Sequence, residues 1–227
     1  PITVLASIGA LTSHIRLGTG VYLLPLRHPL STARMVATLD ILTGGRVSLA
    51  VAIGWMEEEF DAAGIDFKTR ASRTEECLLA MRALWTQPLP AFHGKHFSFS
   101  EVLFEPKPLQ RPHPPLLLGG EAPGALNRAA IMGDGWFGSS HGVQEARDRA
   151  RLLRDLRASN GKGNRFEVSV SPDTPLPDRD TILRYEDAGV DRLIIHVAAF
   201  SEQRKGEFGS QAETNMLRWG EQVVRNV

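Results

Sequence analysis

The stretch VSLAVAI, residues 47–53, limits the possible folds more than any other part of this sequence, because it is apolar at nearly every position rather than at every second one. Successive strand side chains leave opposite faces. A strand with one wetted face therefore alternates apolar and polar residues, and a strand without alternation is covered on both faces. Helices laid on either side of a parallel sheet supply that cover.

The rest of the chain follows the same pattern. Periodicity predicts a helix over 2–12, with Ile2, Leu5, Ile8 and Leu11 one turn apart, then a short strand in RLGTGV. STARMVATLDILTGGR is the next helix, with Met35, Leu39 and Leu42 on one face and Gly44 and Gly45 ending it. After VSLAVAI a helix is expected from about Ser72. Ser72 and Glu75 have capping-box spacing, Cys77, Met81, Leu84 and Trp85 form the buried stripe, and Pro88 stops the helix. Further on, PLLLGG, GWFGS, FEVSVS and DRLIIHV read as strands, with helices in PGALNRAAIMG, QEARDRARLLRDLRASNG and PDRDTILRYEDAG and a last one from about Ala212.

One helix followed by six strand–helix units calls for a parallel sheet with helices outside. A closed eightfold barrel and an open doubly wound sheet both satisfy this. No GxGxxG follows a strand, so the dinucleotide-binding form of the open sheet has no support. A barrel needs eight strands, and the count closes if two strands and a helix precede Pro1. Between 88 and 115 the pattern changes: AFHGKHFSFS reads as a hairpin around Gly94, and Pro106, Pro108, Pro112, Pro114 and Pro115 stiffen a loop insertion. The whole of 1–227 is expected to be a single domain.

Composition narrows the function. The 227 residues carry 26 Lys plus Arg against 26 Asp plus Glu, with no block of like charge, so neither nucleic acid nor an anionic membrane is an expected partner. Small-molecule chemistry is the default. Cys77 is the single cysteine, which excludes an internal disulfide and fits a reducing cytosol; its setting, CLLAMRALW, reads as a buried helix position. No apolar run approaches the roughly 18 residues of a membrane span. PITVLASIGAL lacks the basic start of a signal peptide, and a chain opening on Pro1 is expected to continue upstream.

The succession HIRLGTGVYLLPLRHP, ATLDILTGGRVSLAVAIGWMEEEFDAAGIDF, EECLLAMRALW, FHGKHFSF, PKPLQRPHPPLLLGG and LNRAAIMGDGWF resembles the luciferase-like monooxygenase superfamily, and within it the branch of F420-dependent oxidoreductases. The match runs in order along nearly the whole chain. The resemblance implies a (β/α)8 TIM barrel lacking its first two strands and first helix here, binding coenzyme F420 or FMN, usually as a cytoplasmic homodimer.

In a barrel, chemistry gathers at the carboxyl ends of strands. By the resemblance, Thr19, Gly20 and Val21 form a bulge with a cis bond between Gly20 and Val21, set against the middle of the cofactor ring; the bland alternative is an ordinary strand-ending turn. Arg27 and His28, between Pro25 and Pro29, are the candidate catalytic residues, able to hold a carbonyl or carboxylate. A solvated loop explains them equally well. Gly54 would turn the chain beside the cofactor, with Trp55 either an aromatic wall or core filler; similar proteins have glycine at Ala50 and Ala52. Glu57, Glu58 and Glu59 suit a helix start, and Asp40 and Arg46 a structural pair.

Gly119 and Gly120 end a strand ahead of a helix, where backbone amides suit an anion such as the cofactor phosphate. Glu121 departs from the small polar residue similar proteins place there, so either its side chain turns away or phosphate is held weakly. Gly133, Asp134 and Gly135, leading into Trp136, add cofactor contacts by the resemblance, while Gly133 alone reads as a helix C-cap. His141 and His196 fall just past strand ends. His93 and His96 are three apart without a completing ligand, and HExxH is absent, so no metal is expected.

The resulting expectation is an oxidoreductase moving hydride between reduced F420 and an organic substrate. An FMN-dependent two-component monooxygenase is the nearest alternative; Ile53 stands where some FMN users have Arg. A non-catalytic flavin-binding barrel is the alternative of a different class.

Overall fold

The computed structural model describes residues 1–163, 165–200 and 210–223. They form two compact units, the first made of Pro1–Gly120 with Met132–Asp134, the second of Glu121–Ile131 with the chain from Gly135 onward.

In the first unit, α1 (Ile2–Leu11) precedes β1 (Leu17–Gly18) and β2 (Tyr22–Leu23), followed by α2 (Pro29–Leu42) and β3 (Val47–Ala52). Then come α3 (Glu57–Ala62), α4 (Arg70–Thr86), the hairpin of β4 (Phe92–His93) with β5 (Ser98–Phe99), and β6 (Leu116–Gly119). The unbroken apolar run becomes β3, buried from Val47 to Val51 and parallel to β1, β2 and β6. The predicted strand RLGTGV pairs only over Leu17–Gly18, and pairing resumes just beyond it at Tyr22–Leu23, because four steps from Gly18 to Tyr22 oppose three from Ser48 to Val51, which is a one-residue bulge.

Three local expectations are corrected. On α2, Met35 and Leu42 are exposed and only Leu39 is buried. The inward face is instead Thr32, Ala33, Val36, Ala37 and Asp40, small enough for α4 to approach until Trp85 Nε1 donates to Ala33 O at 3.0 Å. No capping box forms at Ser72: α4 starts at Arg70, continuing a 3-10 turn whose Asp66 side chain accepts from Lys68 N, and Ser72 Oγ donates to Thr69 O. Asp40 and Arg46 are both structural but do not pair. Asp40 takes the Gln110 N–H at 2.9 Å and its Nε2 at 2.6 Å, whereas Arg46 donates to Gly9 O, Thr12 O, Ile15 O and Thr43 O.

The α4 stripe of Cys77, Met81, Leu84 and Trp85 is buried as expected, each large apolar side chain contributing about 1.5–3 kcal/mol. Burial pushes the Cys77 thiol up to about 12, which leaves it protonated and inert.

The second unit contains α5 (Pro123–Met132) except its last residue, β7 (Gly135–His141), α6 (Val143–Ser159), β8 (Glu167–Pro172), α7 (Arg179–Asp187), β9 (Arg192–Leu193) and α8 (Ser210–Val223). β8 lies between β7 and β9, parallel to both. The predicted strand DRLIIHV is paired over Arg192–Leu193, with Ile194 N still donating to Val170 O. Asp178 caps α7 by accepting from Thr181 N. Among the described residues no helix is long and apolar enough to cross a membrane.

Candidate functional site

β2 and β6 flank β3 in parallel, with Leu23 opposite Ala52 and Leu118 opposite Val51, so the carboxyl ends of all three lie side by side in the first unit. Gly119 is the last residue of β6, Gly54 follows β3 by two residues, and Gly20 lies in the bulge just below β2. The bond between Gly20 and Val21 is cis. Thr19, buried, fixes the bulge by donating its hydroxyl to Ala50 O at 2.7 Å.

Gly54 has φ +81°, and a Cβ there would stand 2.8 Å from Cε2 and 3.0 Å from Cζ of Phe60, so both backbone and packing require glycine. The turn it makes sends Trp55 outward with 80% of its surface exposed, which removes the core-filler reading.

Beyond β2, a 3-10 turn over Leu24–Leu26 ends at Arg27. Arg27 and His28 are both exposed. The Arg27 guanidinium lies 5.4 Å from the Tyr22 ring centre. His28 is the N-cap of α2, its Nδ1 accepting from Leu30 N at 3.3 Å, and its ring meets Phe97 edge-on at 5.6 Å.

Phe97 belongs to the predicted hairpin, which Glu76 of α4 holds. Glu76 Oε1 accepts from Lys95 N at 2.9 Å, and Oε2 from His96 N at 2.7 Å and Phe97 N at 3.2 Å. Burial raises the pKa of Glu76, but these three backbone donors, helped by His96, outweigh it and hold the carboxyl below its ordinary value. Arg73 covers the Phe97 ring at 4.8 Å and donates to Pro25 O. Sequence reasoning missed Glu76, Arg73 and Phe97, since nothing local marks a helix carboxylate as the partner of a turn about twenty residues on.

The structure does not bring Gly133 and Asp134 to this end. Asp134 N donates to Leu116 O at 2.8 Å, and its carboxylate accepts from Leu116 N at 2.9 Å. Leu116 is the first residue of β6, roughly 10 Å from Gly119 at the usual strand rise. Gly135 likewise opens β7, opposite the first residue of β8. The glycine-rich GDGW therefore serves the amino ends of strands, where Asp134 caps β6.

Other sequence candidates resolve into local roles. Glu57, Glu58 and Glu59 are exposed in the first turn of α3. His93 Nδ1 meets Ser98 Oγ, and His96 Nε2 meets Ser72 Oγ. His196 is exposed.

In the second unit, Glu121 turns onto His141 at the end of β7, its Oε1 3.0 Å from Nε2. Glu145 Oε2 lies 3.2 Å from Nδ1 on the other side of the ring, and Arg149 stands 3.9 Å from both carboxylates. Tyr185 donates to His141 O at 2.6 Å, and burial, with Asp173 beside it, pushes its phenol up to about 12. Only the Glu145–Arg149 spacing, i to i+4 on a helix, was open to view in the sequence.

Backbone bare of a side chain at Gly20, an exposed Trp55, half-buried Val21 and Leu23, and the exposed cation of Arg27 suit a flat apolar ring with a polar edge. The chemistry of this donor set therefore fits the ring of a flavin or deazaflavin.

The family model described as luciferase-like monooxygenase matches residues 1–217. An FMNH(2)-dependent dimethylsulfone monooxygenase of Pseudomonas putida is 34% identical over 145 residues, covering 63% of this chain and 40% of that protein. The chain thus spans less than half the length of that relative. An uncharacterized protein of Mycobacterium tuberculosis is 35% identical over 198 residues, 86% of this chain and 68% of its own. Among solved structures, the coenzyme F420 dependent tetrahydromethanopterin reductase of Methanopyrus kandleri superposes with a TM-score of 0.80 at 17% identity, covering 99% of this chain and 87% of that one, a likeness of fold.

Proposed function

Because the chain belongs to the luciferase-like monooxygenase family and has the α/β TIM-barrel type of fold that goes with it, we propose that it is an oxidoreductase moving hydride between reduced coenzyme F420 and a small organic molecule. The observation that carries this reading is the placement of Gly54 with Trp55 and of Gly119 at neighbouring carboxyl ends of hydrogen-bonded parallel strands, with the Gly20 bulge leading into the strand beside them. When bound, the deazaflavin supplies the hydride.

The protein's own residues set the conditions. Gly20 lets the backbone lie against the ring without a side chain between them. Trp55 would cover the outer side of a bound ring and keep water from its reacting face. Arg27 and His28 would supply polar groups at the ring edge or to a substrate carbonyl, and the backbone at Gly119 would hold the phosphate tether. A cytosolic homodimer completes the proposal.

A second reading, reduced FMN with oxygen as co-substrate, is favoured by the 34% identity to the Pseudomonas putida enzyme. Titrating the protein with F420 and separately with FMN, following absorbance and fluorescence, tests both. Saturation by F420 near ~10 μM supports the first reading. Saturation by FMN alone replaces it with the second, and uptake of neither refutes both.

A further inference from the structure

We infer that the carboxyl end of β7 is a binding corner for a small oxyanion, which the chain fills with its own Glu121 carboxylate. Three polar groups of different chemistry surround that side chain: Ser139 N–H donates to it at 3.3 Å, His141 Nε2 lies 3.0 Å away and Arg149 Nε 3.9 Å away. The register of β7 against β8 slips between Gly138 and His141, which takes Ser139 out of that ladder and turns its N–H to Glu121.

His141 is the fixed member, with 3% of its side chain exposed. Neither ring nitrogen has an aligned hydrogen bond, although carboxylate oxygens of Glu121 and Glu145 lie within 3.0 and 3.2 Å. Those oxygens sit off the axes along which ring nitrogens bond. A buried polar nitrogen without an aligned partner is costly, so the ring is placed for an acceptor that approaches more directly than the Glu121 tether allows.

Glu121 is the movable member. Its side chain is 40% exposed, and it can swing into water while His141 and Arg149 stay. An incoming monoanion then exchanges one negative charge for another, leaving the repulsion from Glu145 unchanged. Glu145 and Arg149 remain tied on α6 at i and i+4. Glu121 thereby acts as a selector: only a ligand whose oxyanion outcompetes a tethered carboxylate reaches the Ser139 amide.

The corner is confined to the second unit, and its test contains no flavin, so its failure and that of the hydride-transfer reading are distinguishable. The full chain, labelled with 15N, is titrated with inorganic phosphate while the Ser139 amide and His141 ring resonances are followed. A tethered carboxylate competes at an effective concentration of about millimolar or higher. Glu121→Ala and the shape-conserving Glu121→Gln are therefore expected to bind phosphate at least about tenfold more tightly than the unmodified chain. Adding Arg149→Met to Glu121→Ala is expected to abolish the gain. Equal affinity with and without Glu121, or phosphate shifts confined to residues away from Ser139 and His141, overturns the inference.

Discussion

Replacing Gly54 by alanine separates two costs that one position usually mixes. At φ +81° any Cβ meets its own backbone, which costs about 1–2 kcal/mol. The added methyl also lands 2.8 Å from Cε2 of Phe60, a ring with no exposed surface, held edge-on against Phe67 at 5.2 Å. Such overpacking adds about 1–3 kcal/mol. The expected loss is thus about 2–5 kcal/mol. Gly64 is the control, with φ +66° and nothing within 4 Å of an added methyl, so Gly64→Ala bears the first cost alone, about 1–2 kcal/mol. Urea unfolding of both variants, compared at unchanged m-value, gives the difference directly. Trimming the ring in Gly54→Ala/Phe60→Leu is expected to be less damaging than the sum of the single changes. Should Gly54→Ala prove no worse than Gly64→Ala, the claim that Phe60 closes the turn beside Trp55 is wrong.

Three further outcomes follow from the same geometry. Glu76→Gln is expected to lose about 1–3 kcal/mol at pH 7, because a charged acceptor of three backbone N–H groups becomes neutral. Since the folded carboxyl titrates below its ordinary 4.5, this stability is present above that value and is lost as pH falls through the lower folded pKa; unfolding of wild type and variant between pH 3 and 7 should converge at the acid end. Cys77 is expected to resist a disulfide reagent in the native protein and react on unfolding, and fast native labelling would contradict the burial that raises its pKa. Trp55→Ala should leave the unfolding free energy within about 0.5 kcal/mol of wild type, because the ring is 80% exposed, while weakening flavin or deazaflavin uptake by about tenfold; unchanged uptake removes Trp55 from the site.

The strands were legible wherever both faces are covered, because an unbroken apolar run such as 47–53 has few other meanings. The hairpin around Gly94 and the α4 stripe were legible for the same kind of local reason. Met35 and Leu42 misled because hydrophobicity does not report which helix face a neighbour approaches; Ala33 and Ala37 do the burying by being small. Ser72 and Glu75 had the right spacing for a cap, but Asp66 had already started the turn upstream. At the site, Gly54 and Gly119 were readable as strand ends, and the cis bond at Gly20 came with the family resemblance. The place of Gly133 and Asp134 was not readable, because a Gly-Asp-Gly sequence says nothing about which end of a parallel strand it serves. The grip of Glu76 on residues 95–97 and the meeting of Glu121 with His141 are long-range facts that no local pattern encodes.

The slip between β1 and β2 decides more than where a ladder breaks. Side chains on an extended chain swap sides at each step, so four steps facing three would put every later side chain on the wrong side unless the surplus residue is held out of line. The bulge absorbs it, and Tyr22 stays opposite Val51 with its ring enclosed. Shortening the segment between Leu17 and Leu23 by a single residue would leave that pairing in place while removing the slack that carries Thr19 and Gly20 out of the ladder, so such a deletion would strip the site of its bare backbone and spare the fold.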